Sequence, residues 1–263
     1  MKKLARKVVD LSRSFKGNTL YHIERAFFTE FTKARIQKYL GKRENQIHPY
    51  IDLSLKLIES DVVVHQPEVP TESDYLGALF TKYGSDKDLR HSYSWVYNTI
   101  LAQVAAPKIL EIGIGTYNQY AYGGFPPGGS LKAWREAFPN ALLVGADIDP
   151  EAISELQETG YVVDQLSSSS LRNLYSELKN IGGFDLIIDD GFHEPHANLN
   201  TYLNLYELLN AGGRYVIEDV HKSLIDFWRV IAANIPGTLE IFDLSEQRPG
   251  CDDNVLLVFR REN

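Results

Sequence analysis

Two acidic clusters hold most of the chemistry available to this sequence. One is Asp189-Asp190-Gly191-Phe192-His193; the other is Glu218-Asp219-Val220-His221. Each follows a short apolar run, Leu186–Ile188 or Tyr215–Ile217, that reads as a buried strand. Each run therefore delivers carboxylates and an imidazole to a strand end, where open α/β sheets bind ligands. Carboxylates crowded at one point repel unless a cation neutralises them or protons are taken up. Asp190, Glu218 and Asp219 offer hard oxygen donors suited to Mg2+, with positions left for water or substrate oxygens. Asp189, nearer its strand, either supports that shell or touches a cofactor. His193 lies close enough to Asp190 to share the site, and His196 and His221 are further imidazoles nearby.

A glycine-rich turn precedes the clusters, in Ile109-Leu110-Glu111-Ile112-Gly113-Ile114-Gly115. Glycine lets backbone approach a ligand closely and tolerates positive φ. A dinucleotide fingerprint needs a third glycine at position 118, which is Asn118, so a nicotinamide dinucleotide site is disfavoured. Ser130 is the expected N-cap of the next helix, with Gly128 and Gly129 freeing its first N–H groups to face an anion. The next strand ends in Asp147-Ile148-Asp149, and a carboxylate there accepts ribose hydroxyls. Asp147 is the better placed, because Asp149 equally suits the cap of a helix after Pro150. Asp164-Gln165, after a third strand, can read an adenine edge. Glycine turn, Asp147 and Asp164 in order at successive strand ends point to an adenosyl cofactor.

The elements that must position these residues alternate. Strands are expected at Lys108–Ile112, Leu142–Ala146, Tyr161–Val163, Phe184–Ile188 and Arg214–Ile217. Helices are expected at Leu131–Phe138, Ala152–Glu158, Leu171–Leu178, Ala197–Leu209 and Ser223–Ala233. Leu239–Asp243 and Asn254–Phe259 close the chain as an antiparallel strand pair. This alternation specifies an α/β fold, a mostly parallel Rossmann-like sheet with helices on both faces. Residues 1–70 read as a helical N-terminal extension, with a linker at Pro67–Ser73, and residues 71–263 as the domain carrying the chemistry.

The 263 residues, 44% of them hydrophobic, suffice for one sizeable core and a small appendage. A single cysteine, Cys251, excludes an intrachain disulfide framework and fits a reducing cytoplasm. No apolar run approaches the roughly 20 residues of a spanning helix, and the basic N-terminus lacks a signal-peptide core. Residues 1–43 hold 12 Lys/Arg and three acids, a balance of +9, leaving −17 for the rest of a chain whose total is −8. The acidic body repels phosphates, which argues against a nucleic-acid substrate. The basic arm suits docking on that body, peripheral contact with an anionic surface, or assembly into a homo-oligomer.

The chain resembles class I S-adenosylmethionine-dependent methyltransferases. More narrowly, it resembles the metal-dependent macrolide sugar O-methyltransferases and the related cephalosporin hydroxylase-like proteins. The resemblance is carried by Lys82–Lys87 with His91-Ser92-Tyr93, Ile109–Gly115, Gly128–Trp134, Asp189–His193 and Ile217–Val220. It implies S-adenosyl-L-methionine and Mg2+ as cofactors and, as acceptor, a hydroxyl of a sugar in a natural-product glycoside, a nucleotide-sugar or a surface glycan. It places Mg2+ on Asp190, Glu218 and Asp219, makes His193 the general base, and lays Lys82–Tyr93, with Lys87, over cofactor and substrate. Glu111, Gly113, Gly115, Ser130, Asp147, Asp164, Gln165 and Asp189 complete the expected cofactor contacts. The Tyr117, Tyr120, Tyr122 and Phe125 cluster, in a Gly/Pro-rich loop, is expected to line a substrate mouth. Two rivals stand beside this reading: a hydroxylase-type component, though no 2-His-1-carboxylate triad stands out, and a non-catalytic cofactor-binding subunit.

Overall fold

The computed structural model describes residues 62–67, 74–121, 123–248 and 250–262. The chain divides into two compact units at Leu57/Ile58, and the described residues belong to the second. The helices expected before residue 60, the basic arm and most of the expected linker lie outside the described residues.

In chain order the elements are β1 (Val63–His65), α1 (Tyr75–Lys82), α2 (Asp86–Leu89), α3 (Ser94–Leu101), β2 (Lys108–Ile112), α4 (Tyr117–Ala121) and α5 (Gly129–Ala137). Then come β3 (Leu142–Asp147), α6 (Pro150–Ser154), β4 (Thr159–Val162), α7 (Ser168–Leu178), β5 (Phe184–Asp189) and α8 (Pro195–Leu205). The chain closes with β6 (Leu209–Ile217), α9 (Ile225–Ala232), β7 (Thr238–Asp243) and β8 (Val255–Arg260). The eight strands form one sheet in the order β1-β7-β8-β6-β5-β2-β3-β4. β8 runs antiparallel to both β6 and β7, and every other pairing is parallel. The expected mostly parallel sheet with a terminal antiparallel pair is thus present. Val63–His65, read from sequence as part of the extension, instead forms an edge strand on β7. Three residues with exposed valines carry no period long enough to announce a strand.

Strand alternation sorts the interior into two layers. Leu110, Ile112, Val144, Ile187, Tyr215 and Ile217 meet α7, α8 and α9 on one face. Ile109, Leu143, Leu186, Ile188 and Val216 meet Phe80, Tyr97 and Trp134 of α1, α3 and α5 on the other. Trp134 and Trp228 are fully buried, packing helices on the sheet. Helix starts follow local chemistry. Asp74 caps α1, Ser85 caps α2, Asp149 caps α6 with Pro150 behind it, and Ser167 caps α7. The expected Ser130 cap is not formed. α5 starts two residues earlier than expected, at Gly129, with Gly128 at φ +70° in the cap position. A Cβ at Gly129 would stand 2.7 Å from the Tyr83 carbonyl, so only glycine admits this approach.

β2 pairs with β3 on one side and β5 on the other, so strand order reverses there. The crevice at the carboxyl ends of these strands is the binding region of such sheets. Gly113 sits at its base with φ +86°, and a Cβ there would lie 2.1 Å from the Asp190 carbonyl oxygen. Gly113→Ala should therefore cost about 3 kcal/mol or more in urea unfolding, from strain and overlap together. Gly212→Ala has a similar φ of +77° but open space around its Cβ. It should cost only the left-handed conformation, about 1–2 kcal/mol. Equal losses at the two glycines would contradict the close approach at Gly113.

Candidate functional site

Side-chain alternation along three neighbouring strands decides the geometry. Glu111 shares a face with Ile109, Asp190 continues the face of Leu186 and Ile188, and Glu218 continues that of Val216. All three carboxylates therefore project to the side covered by α1–α3. There α2 supplies Lys87, whose side chain is fully buried. Its Nζ lies 2.6 Å from Asp190 Oδ2, 2.6 Å from Glu218 Oε2 and 3.1 Å from Glu111 Oε1. Burial opposes the Lys87 charge, but Asp190, Glu111 and Glu218 hold its pKa well above the ordinary lysine value. Tyr97, from α3, donates to the other Glu218 oxygen. Burial pushes Glu218 up to about 7 despite Lys87, with Asp219 and Glu111 adding to the rise. Burial and the Glu218 charge likewise hold Asp190 well above the usual carboxylate range.

Asp189 points to the opposite face. It accepts from Gln165 Nε2 at 2.7 Å and from the Tyr215 hydroxyl at 3.2 Å, and burial raises its pKa. Asp219 leaves the alternation because its φ is +53°, and His193 is likewise at +55°. Left-handed backbone at two non-glycine residues of one site is strain that the surroundings must hold in place. Tyr93 does much of this. Its hydroxyl donates to Asp219 Oδ1 at 2.8 Å and accepts from the Asp219 N–H at 3.2 Å. The His91 ring, stacked on Tyr93 with centroids 4.7 Å apart, brings Nε2 to 3.4 Å from the same oxygen. The other oxygen, Oδ2, faces His193 Nε2 at 4.0 Å. Against the effect of burial, the two imidazoles and Tyr93 hold the Asp219 pKa below its ordinary value.

A cavity of about 900 Å³ opens over this cluster and runs along the glycine turn. Its size suits two small molecules side by side. Gly113, Gly115, Ser130, Asp147, Asp164 and Gln165 line one end, and Asp190, His193 and Asp219 the other. Asp147 is buried and accepts the Ile114 N–H at 2.8 Å and the Asp149 N–H at 3.0 Å, which shapes the turn beside it. Burial raises its pKa against those bonds. Asp149 is occupied as a cap and as acceptor for the Tyr117 N–H.

Sequence and structure part company at several residues. Lys87, Glu111, Asp189 and Glu218 do not line the cavity; they sit beneath its wall. Gln165 lines it, but its amide is committed to Asp189, Thr201 and the Phe192 N–H, which leaves little of it for a ligand. Of the expected aromatic mouth, Phe125 lines the cavity. Tyr117 turns away to Glu155 and Tyr120 faces solvent, because α4 rolls the segment into a helical turn; Tyr122 lies outside the described residues. His221 caps a short turn through Nδ1, and His196 packs edge-on to Phe192. Tyr97, Asp253 and Arg248 were not anticipated. Arg248 ties the α2–α3 segment down through Ser92 and the carbonyls of Asp88 and His91.

Among the described residues three donor groups could hold a divalent cation: His91, Cys251 and Asp253; Asp86, His91 and Asp219; and Asp190, His193 and Asp219. Asp190, His193 and Asp219 each bring a ligand atom within 4.8 Å of one another at the cavity wall. Two carboxylates there, partly open to the cavity, are hard donors for an ion such as Mg2+ that keeps several waters. Both Glu218 oxygens are engaged, by Lys87 and Tyr97, so Glu218 joins such an ion only by exchanging one of these contacts. Among the described residues, His91 and His193 do not share one ligand group with Asp219; they approach different oxygens.

No protein-family model matches the sequence. The chain is 36% identical over 151 residues to an 8-demethyl-8-alpha-L-rhamnosyl tetracenomycin-C 2'-O-methyltransferase of Streptomyces olivaceus, covering 56% of this chain and 38% of that one. It is 34% identical over 168 residues to an L-olivosyl-oleandolide 3-O-methyltransferase of Streptomyces antibioticus, covering 62% and 41%. The chain thus spans about two fifths of the length of these relatives. Among solved structures it is similar to the MycE methyltransferase of mycinamycin biosynthesis, in complex with Mg, SAH and mycinamycin VI. That likeness has a TM-score of 0.54 at 23% identity and covers 73% of this chain and 56% of MycE. The fold is that of a class I methyltransferase, and the chain is a homologue of sugar O-methyltransferases.

Proposed function

We propose that this protein transfers a methyl group from S-adenosylmethionine to a hydroxyl of a sugar on a natural-product glycoside, with the help of Mg2+. The carrying observation is the single cavity that joins the glycine turn and Asp147 at one end to Asp190, His193 and Asp219 at the other. The sugar O-methyltransferase relatives support the acceptor class.

S-adenosylmethionine supplies an electrophilic methyl on a sulfonium, and a divalent cation lowers the cost of deprotonating an alcohol. The residues of the chain do the rest. The backbone at Gly113 and Gly115 admits the cofactor closely, and Asp147 offers a carboxylate for ribose hydroxyls. Asp190 and Asp219 would hold the cation, with Glu218 beside them. His193 takes the proton of the acceptor hydroxyl, and Asp219, 4.0 Å from its Nε2, stabilises the imidazolium. Tyr93 and His91 hold Asp219 so that one oxygen remains toward the cavity.

Isothermal titration should show S-adenosylhomocysteine binding in the micromolar range. Asp147→Ala should weaken it by about 1.5–3 kcal/mol, the worth of a charged hydrogen bond. Binding of NAD in its place would overturn the assignment of that wall.

The activity test uses methyl-labelled S-adenosylmethionine, Mg2+ and a panel of rhamnosyl and olivosyl glycosides. Label should pass to one acceptor, and excess EDTA should abolish transfer while sparing S-adenosylhomocysteine affinity. His193→Ala should slow transfer by roughly 10²–10⁴ with cofactor still bound, the usual worth of a positioned general base. Full turnover in EDTA would refute the cation's part, and full turnover in His193→Ala would refute the base.

A further inference from the structure

The three carboxylates around Lys87 are not equivalent. Asp190 and Glu218 each take the ammonium at 2.6 Å. Glu111 is fully buried, yet neither of its oxygens accepts a hydrogen bond, and its 3.1 Å contact with Lys87 is an ion pair without hydrogen-bond geometry. A fully buried carboxylate that accepts nothing is costly and has capacity to spare. Asp190, meanwhile, has a second allegiance: it belongs with His193 and Asp219 to the donor group at the cavity wall. A divalent cation on that group and an ammonium on the same carboxylate repel strongly at such range.

We propose that Lys87 is an exchangeable internal counter-ion. Without a divalent cation it neutralises Asp190 and Glu218; with one bound it is released from Asp190 and passes to Glu111. This rests on the cation site argued above and adds the group that the cation displaces. No bond is broken and no proton is lost in the exchange; the ammonium changes partners within one buried pocket. Tyr97 keeps its hydrogen bond to the other Glu218 oxygen throughout. Lys87 acts here as a positioning residue, since it does not line the cavity.

The test is Mn2+ affinity, read by electron paramagnetic resonance on the full chain without acceptor or turnover. Lys87→Gln should bind Mn2+ about tenfold tighter or more, because the competing charge is gone. Glu111→Gln should bind it about tenfold more weakly, because the displaced ammonium has no receiver. In the Lys87→Gln background the Glu111→Gln effect should shrink below about threefold, a non-additivity that plain charge removal does not produce. Unchanged or weaker Mn2+ binding by Lys87→Gln would overturn the exchange. So would a Glu111→Gln effect of equal size in both backgrounds. If Lys87→Gln does not fold, the double variant removes one charge of each sign and is compared with Glu111→Gln alone. Tighter binding by the double variant supports the exchange, and equal or weaker binding overturns it. Absence of Mn2+ binding by the wild-type protein would instead remove the cation site, and the exchange with it.

Discussion

One buried ammonium makes the site possible. β2, β5 and β6 each present a carboxylate to the same face, and the sheet brings Glu111, Asp190 and Glu218 around a single point. Nothing in the sheet neutralises them. Lys87 comes from α2, outside the sheet, and its arrival binds the α1–α3 segment to the strand ends. A buried charge stripped of its partner costs about 3–5 kcal/mol, so that segment is held by more than its apolar contacts. Gly84 with φ +69° and the Ser85 cap set the approach of α2, and Arg248 fixes the segment from the far side. The cover over the cavity and the charge balance beneath it are therefore one structure.

The two ends of the cavity share backbone. The Gly113 N–H donates to the Ala146 carbonyl and the Asp190 N–H to the Ile112 carbonyl, each at 2.8 Å. The glycine turn thus rests on the peptide that carries the first carboxylate. Strain is confined to the other end, at His193 and Asp219. There the stacked His91 and Tyr93 rings leave the Asp219 backbone and Oδ1 little freedom. An oxygen held in advance spends less binding energy on ordering than one on a mobile loop.

Much of this was legible before the structure. The mostly parallel sheet and its antiparallel end followed from apolar runs alternating with helical periods, and alternation within those runs separates Asp189 from Asp190. Asp147, Asp190, His193 and Asp219 fall where their strand ends place them, at the cavity. What sequence did not yield came from tertiary contact. Lys87 sits in a polar loop motif and reads as a ligand contact, because its burial depends on three carboxylates distant in the chain. Tyr97 looks like one more core aromatic of α3, yet its hydroxyl is the partner that Glu218 needs. A count of buried acids against available donors is the signal that could have found both. The cap of α5 was misplaced by two residues because left-handed Gly128, not a side chain, precedes the helix. The Tyr117–Ala121 turn scattered an aromatic cluster that looked continuous in sequence.

In the proposed mechanism Asp190 and Asp219 hold a divalent cation at the wall of the same cavity that takes the cofactor. Anomalous diffraction from crystals grown with Mn2+ and S-adenosylhomocysteine tests it directly. One strong peak bonded to Asp190 and Asp219 is expected, with His193 beside it and the adenosine ribose on Asp147 in the same cavity. A protein that binds the cofactor with no peak at these carboxylates, or with the metal on His91, Cys251 and Asp253 instead, would contradict it.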